Sequence, residues 1–136
     1  MNKTLPKILL ICSMILLLNT NFIAAQTQED VAVVLELATF NETVDGYFKN
    51  KIHIVKNDVL VKKLNGELKP RGIRISNKVD LFARGIVNPV EIETLTLKPK
   101  RAKVIYHIDQ HRVKCILRKR KSDGEWRVVR TRFRSY

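Results

Sequence analysis

Acidic residues are scarce where basic ones are dense. Between Lys98 and Tyr136 the only acids are Asp109, Asp123 and Glu125, against fourteen Lys or Arg. Residues 26–97 balance ten against ten, so the positive surplus outside the first 25 residues belongs to the C-terminal stretch. Cysteine is nearly absent as well. Cys12 lies in an apolar leader and Cys115 stands alone after it. A single thiol excludes an internal disulfide, so the domain holds by packing alone. Cys115 falls on the inward parity of a strand and reads as a small buried apolar residue.

Catalytic patterns are missing too. There is no paired-carboxylate, nucleophile–His–acid or His-Glu-x-x-His arrangement. Ser76, Ser122 and Ser135 sit in turns or at the terminus. Gly66, Gly72 and Gly124 are turn glycines, and none opens a phosphate loop before a helix. His107 and His111 flank a tight turn with Asp109 between them, but His53 is remote and a third and fourth ligand are not evident. They read as turn-flanking polar residues, with no metal and no cofactor expected. Tyr106 and Asp80 read as a core residue and a helix cap. No linker, repeat or low-complexity segment divides the chain.

What is present begins with the leader. Lys3 and Lys7 precede the apolar run Ile8–Leu18, and Ile23 and Ala25 occupy the −3 and −1 positions of a cut before Gln26. That is the pattern of a secretory signal peptide. The run falls short of the ~18–20 apolar residues of a membrane span. Cys12 follows Leu10 and Ile11, where a lipobox needs small residues. The expectation is residues 1–25 as signal peptide and 26–136 as one domain, in a bacterial periplasm or secreted.

In that domain, Thr27 with Asp30 resembles a helix N-cap with an acidic partner. Val33, Leu37, Phe40, Val44 and Tyr47 then recur at helical spacing, with Val34 and Phe48 widening the stripe, predicting a helix from Gln28 to about Asp45; the β-branched first half, Val31–Phe40, leaves a strand as the alternative. Lys51–Lys56 alternates as a strand. Val59–Leu64 fits either a short helix after Asp58 or a returning strand. Asn65-Gly66 and Pro70-Arg71-Gly72 mark turns, and Ile73–Ile75 is a short strand. Asn77 caps a brief helix with Val79 and Phe82 inward and Gly85 after its end. Four long strands follow: Val90–Leu97, Ala102–Ile108, Arg112–Lys121 and Trp126–Phe133. The fold class predicted is α+β, an N-terminal amphipathic helix on a mainly antiparallel, meander-type sheet.

The last turn sets a register. A three-residue loop with Gly124 left-handed pairs Leu117 with Val129, Cys115 with Thr131 and Val113 with Phe133. The turn at Asp109-Gln110 pairs Tyr106 with Val113 and Val104 with Cys115. These side chains face the helix. The opposite face then collects Lys103, His107, Arg112, Lys114, Arg118, Arg120, Arg130, Arg132 and Arg134, with Ile105, Ile116, Trp126 and Val128 among them. Like charges opposed across a ladder destabilise by up to ~1 kcal/mol. A bulge near Thr94 would bring Glu91 and Glu93 to that side and offset part of the cost.

Arginine's planar fork suits phosphate, sulfate and carboxylate. The expected anion-binding set is Lys103, Arg112, Lys114, Arg118, Arg120, Arg130, Arg132 and Arg134, with Trp126 at its edge. In an exported protein the partners would be an anionic lipid headgroup, lipopolysaccharide, an acidic polysaccharide or an acidic protein. A peripheral membrane contact is compatible with this, and nucleic acid is disfavoured by the compartment. A solvated cationic face without any ligand is the plain structural alternative.

The order of elements and the turn Asp123-Gly124-Glu125-Trp126 together resemble the cystatin-like and nuclear-transport-factor-2-like α+β folds. In those folds an enzyme would carry an Asp–His pair inside the cone, and this chain has none on the inward parity. The resemblance therefore implies a non-catalytic binding module. A small-molecule enzyme with a pocket between helix and sheet, or a self-associating structural envelope protein, are the alternatives.

Overall fold

The computed structural model describes residues 28–48, 51–64 and 72–136. The leader, the Thr27 cap and the turns at Asn65-Gly66 and Pro70-Arg71 lie outside the described residues. The fold is α+β.

The first helix, α1, is described over 28–39. Val31, Val34, Leu35 and Ala38 are its buried face. The stripe expected from spacing is displaced, because Val33, Phe40 and Tyr47 are exposed. For Phe40 and Tyr47 the cause is an early helix end. The Thr39 hydroxyl donates to the Leu35 carbonyl at 2.8 Å, a local bond that competes with helix continuation. The Ala38 carbonyl accepts from Asn41 Nδ2 at 3.1 Å, the Tyr106 hydroxyl at 3.1 Å and the Cys115 thiol at 3.4 Å. Asn41 then caps a separate turn, α2 (Glu42–Asp45), by accepting from the Val44 amide. Val44 reaches the core from that turn.

Two parallel strands follow, β1 (Ile52–Val55) and β2 (Ile73–Ser76). Between them lies α3 (Asp58–Val61), so the region left open from sequence begins as a helix and ends in a turn, not as a strand. Asn57 decides this. Its Oδ1 accepts from the Leu60 amide and its Nδ2 donates to the Ile92 carbonyl at 2.8 Å. The short α4 (Lys78–Ala83) buries Leu81, whereas Val79 and Phe82, expected inward, are 78% and 48% exposed. The main-chain bonds at its end lock that choice. Ile86 donates to the Leu81 carbonyl and Gly85 to the Phe82 carbonyl, both at 2.9 Å, with Gly85 left-handed at φ +77°. A parallel bridge from Ile54 to Val90 joins β1 to the start of the main sheet.

The main sheet is β3 (Glu91–Lys98), β4 (Arg101–Ile108), β5 (His111–Lys119) and β6 (Trp126–Ser135), antiparallel and in sequential order. Its inner side carries Leu95, Ala102, Val104, Tyr106, Ile108, Val113, Cys115 and Leu117 against α1. Burial pushes the Tyr106 phenol and the Cys115 thiol above their ordinary pKa values, as buried neutral groups should be.

Two irregularities interrupt the ladder. The β3–β4 register shifts between Ile92 and Thr94, where the sequence placed a bulge. The β5–β6 ladder pairs Val113 with Phe133 and Cys115 with Thr131 as expected, but Leu117 lies opposite Val128 and not Val129. The physical reason lies in the loop. It closes with the Arg120 amide on the Glu125 carbonyl at 2.8 Å, so residues 121–124 form the loop, which takes one more residue from the β5 side than a three-residue loop would. An extra residue at Val129 absorbs the difference.

Candidate anion-binding face

The bulge at Val129 reverses the parity of β6 between its ends. Arg130, Arg132 and Arg134 stay on the outer side, opposite Ile116, Lys114 and Arg112. Trp126 and Val128 turn to the helix side, opposite Lys119 and Leu117. Trp126, expected at the edge of the cationic face, is instead 7% exposed and part of the core. Its indole N–H donates to Asp30 Oδ1 at 2.9 Å. Lys119 reaches the same carboxylate at 2.9 and 3.2 Å and lies 5.5 Å from the indole ring centre. This cluster ties the first turn of α1 to the ends of β5 and β6. The same parity change delivers Arg127 to the outer side, opposite Arg118. Sequence reasoning missed Arg127, which only the bulge could have revealed, and also Lys98 and Arg101, whose strands extend further than the spacing suggested.

The outer face is ordered in rows across the strands. At one end lie Glu91, His107, Arg112 and Arg134. Glu93 sits at the adjacent bulge. It accepts from Arg112 Nε at 2.8 Å and Nη2 at 2.6 Å, and meets His107 Nε2 at 2.7 Å. The two-pronged hydrogen bond from Arg112 holds the Glu93 carboxyl down to about 2, and the His107 contact works in the same direction. Glu91 pairs with Lys78 at 2.6 Å. This row is therefore internally compensated.

The next three rows are Thr94–Ile105–Lys114–Arg132, Thr96–Lys103–Ile116–Arg130, and Lys98–Arg101–Arg118–Arg127. They hold Lys98, Arg101, Lys103, Lys114, Arg118, Arg127, Arg130 and Arg132 and no acid. Among the described residues none of these cations has a salt-bridge partner. Strands sit ~4.8 Å apart and same-face neighbours along a strand ~6.7 Å apart. Neighbouring charges thus lie within the ~8 Å screening length of physiological salt. Two unit charges ~7 Å apart repel by about 0.6 kcal/mol even at the dielectric of water. A bound anion relieves several such terms at once.

The centre of this field is a shallow depression of about 100 Å³ lined by Arg101, Lys114, Ile116, Arg130 and Arg132. A second, of about 210 Å³, lies beside it along Thr96, Lys98, Arg101, Ala102 and Lys103. Ile105 is 7% exposed although it faces outward, covered by its long neighbours. Arg120 does not join the field. It lies past the end of β5 and pairs with Asp123 and with Glu125. Arg112 and His107 are occupied by Glu93, and His111 meets the Ser135 hydroxyl at 3.0 Å. His53 lies far off on β1 against the Phe48 ring. Burial, then the charges of Arg74, Arg84 and Lys51, lower its pKa.

No protein-family model matches the chain. No curated protein matches it either. Among solved structures it is similar to an NTF-2 like protein of unknown function from Silicibacter pomeroyi, at 14% identity, covering 87% of this chain and 98% of that one with a TM-score of 0.32. With so loose a superposition, the fold class rests on the strands and helices described above.

Proposed function

We propose that this is an exported, non-catalytic module that binds an anionic envelope component through the outer face of its sheet. One observation carries the reading: three consecutive rows present eight cations and no acid, while the acids near the sheet are spent at one end and in one loop. The contact set is Arg101, Lys103, Lys114, Arg118, Arg127, Arg130 and Arg132, with Arg134 at the margin. Arginine forks in the central depression suit phosphate, sulfate or carboxylate groups. The leader supports export into the compartment where such polymers and headgroups are found.

The test is co-sedimentation of the protein with vesicles containing anionic lipid, and retention on a sulfated polysaccharide, across a salt series. Binding should weaken steeply as salt rises. Each cation near an anionic surface contributes about 1 kcal/mol, so Lys114→Glu with Arg132→Glu should cost about 2–4 kcal/mol, at least thirtyfold in affinity. Salt-insensitive binding, or a double variant that binds like the parent, would overturn the reading.

A further inference from the structure

The last strand of the sheet is open along its outer face and its free edge, and part of its helix side is exposed as well. Among the described residues β6 pairs only with β5, and its other edge meets no strand. Of its ten residues only Trp126 and Thr131 are not exposed. The phase of the ladder shows which main-chain groups point outward. The Tyr136 amide donates to the Gln110 carbonyl at 3.1 Å. Antiparallel ladders alternate, so Arg134, Arg132 and Arg130 turn their N–H and C=O groups to β5. Thr131, Phe133 and Ser135 turn theirs to the free edge.

The side chains along this edge are of two kinds. Arg130, Arg132 and Arg134 line the outer side. On the helix side stand Val128, 40% exposed, and Phe133, 51% exposed, beyond the cover of α1. Arginines alone are a common guard against edge pairing. Exposed valine and phenylalanine on the same edge are not.

From this we infer that β6 accepts an extended polypeptide segment as a fifth strand along 130–135, beyond its bulge, with acidic side chains over the arginines and an apolar one over Phe133. Charge decides the occupant. A second copy of β6 would set arginines beside arginines, at a cost for each opposed pair. A strand alternating acidic and apolar residues matches both sides and satisfies the outward main-chain groups. The inference rests on the cationic-face reading and narrows its partner to an acidic protein segment.

The probe is a synthetic ten-residue peptide of alternating Glu and Val, with a version N-methylated at alternate amides. Amide exchange is followed by NMR on the full chain. Binding should slow exchange at Thr131, Phe133 and Ser135 and leave Arg130, Arg132 and Arg134 as they were. The N-methylated peptide should bind weaker by about threefold to tenfold for each main-chain hydrogen bond lost. Thr131→Pro removes one outward donor at a position where an edge strand tolerates proline. It should weaken the peptide and spare retention on sulfated polysaccharide. Peptide binding without slowed exchange at those three amides, or unaffected by N-methylation, overturns the inference while the anion-binding reading stands. So does the absence of peptide binding to a protein still retained by polyanions. Slowing of the same amides by anionic vesicles, with none by the peptide, overturns it in favour of a lipid surface.

Discussion

Asp30→Ala should be among the most damaging single changes to a partly buried residue. Its carboxylate is 23% exposed and holds two donors at once, the Trp126 indole N–H at 2.9 Å and the Lys119 ammonium at 2.9 Å. A hydrogen bond to a charged group contributes about 1.5–3 kcal/mol, and removing the acceptor also strands a largely buried indole N–H. The Lys119 pair is partly solvated and adds no more than about 1 kcal/mol. The expected loss is about 2–3 kcal/mol, a fall in Tm on the order of 10 °C for a domain of this size. Trp126 is the only tryptophan, so its fluorescence reports both the unfolding transition and the docking of α1. In urea, Asp30→Ala should lower the midpoint and shift native emission to the red. Trp126→Phe should recover part of the loss in the Asp30→Ala background, because the stranded N–H is gone. Binding to anionic vesicles should be unchanged, since the cluster faces away from the cationic rows. A midpoint within about 0.5 kcal/mol of the parent, the range of ordinary surface changes, would refute the clamp.

Other outcomes follow from the same geometry. Cys115 is buried, its pKa raised, and its thiol bonded to Ala38, so alkylation should be slow in the native protein and track the unfolding equilibrium in denaturant; rapid labelling without denaturant would contradict the packing. The folded Glu93 carboxyl titrates at about 2, below its unfolded value, so its stabilisation is full above about pH 4.5 and is lost as pH falls through about 2. Glu93→Gln should remove that part of the acid dependence, with a change at neutral pH of about 1 kcal/mol or less because the pair is exposed, read by urea titrations at several pH values. Deleting Val129 should force either Trp126 outward or the arginines inward. The expected result is red-shifted emission together with lost stability, and a deletion variant with native emission and parental vesicle binding would show that the bulge sets neither.

Much of the sheet was legible because a period of two leaves few choices. A one-residue slip would turn Val113 and Cys115 to the opposite face from Val104 and Tyr106. Glu93 was also legible, since Val90 and Ile92 alternate out of step with Leu95 and Leu97 and so announce the bulge. The helix was less so. Val33, Phe40 and Tyr47 satisfy helical spacing, yet Thr39 and Asn41 end α1 through side-chain bonds whose partners lie in α1 itself and, for Asn41, also on Tyr106, sixty-five residues on. The site was partly visible. Lys103, Lys114, Arg118, Arg130 and Arg132 share one face as the alternation implied, whereas Trp126 and Arg120 leave it, Arg112 is taken up by Glu93, and Lys98, Arg101 and Arg127 enter.

The sequence alone determined the segregation of charge, the alternation that sorts it to one side of a meander, and the reliance on packing with a single thiol. Local rules suffice for these, since pleat and composition need no knowledge of the rest of the chain. Tertiary structure decided how the end of α1 is anchored, which face carries Trp126, and which cations are already paired. Each of those depends on a partner distant in sequence: Tyr106 for Asn41, Asp30 for Trp126, and Glu93 for Arg112.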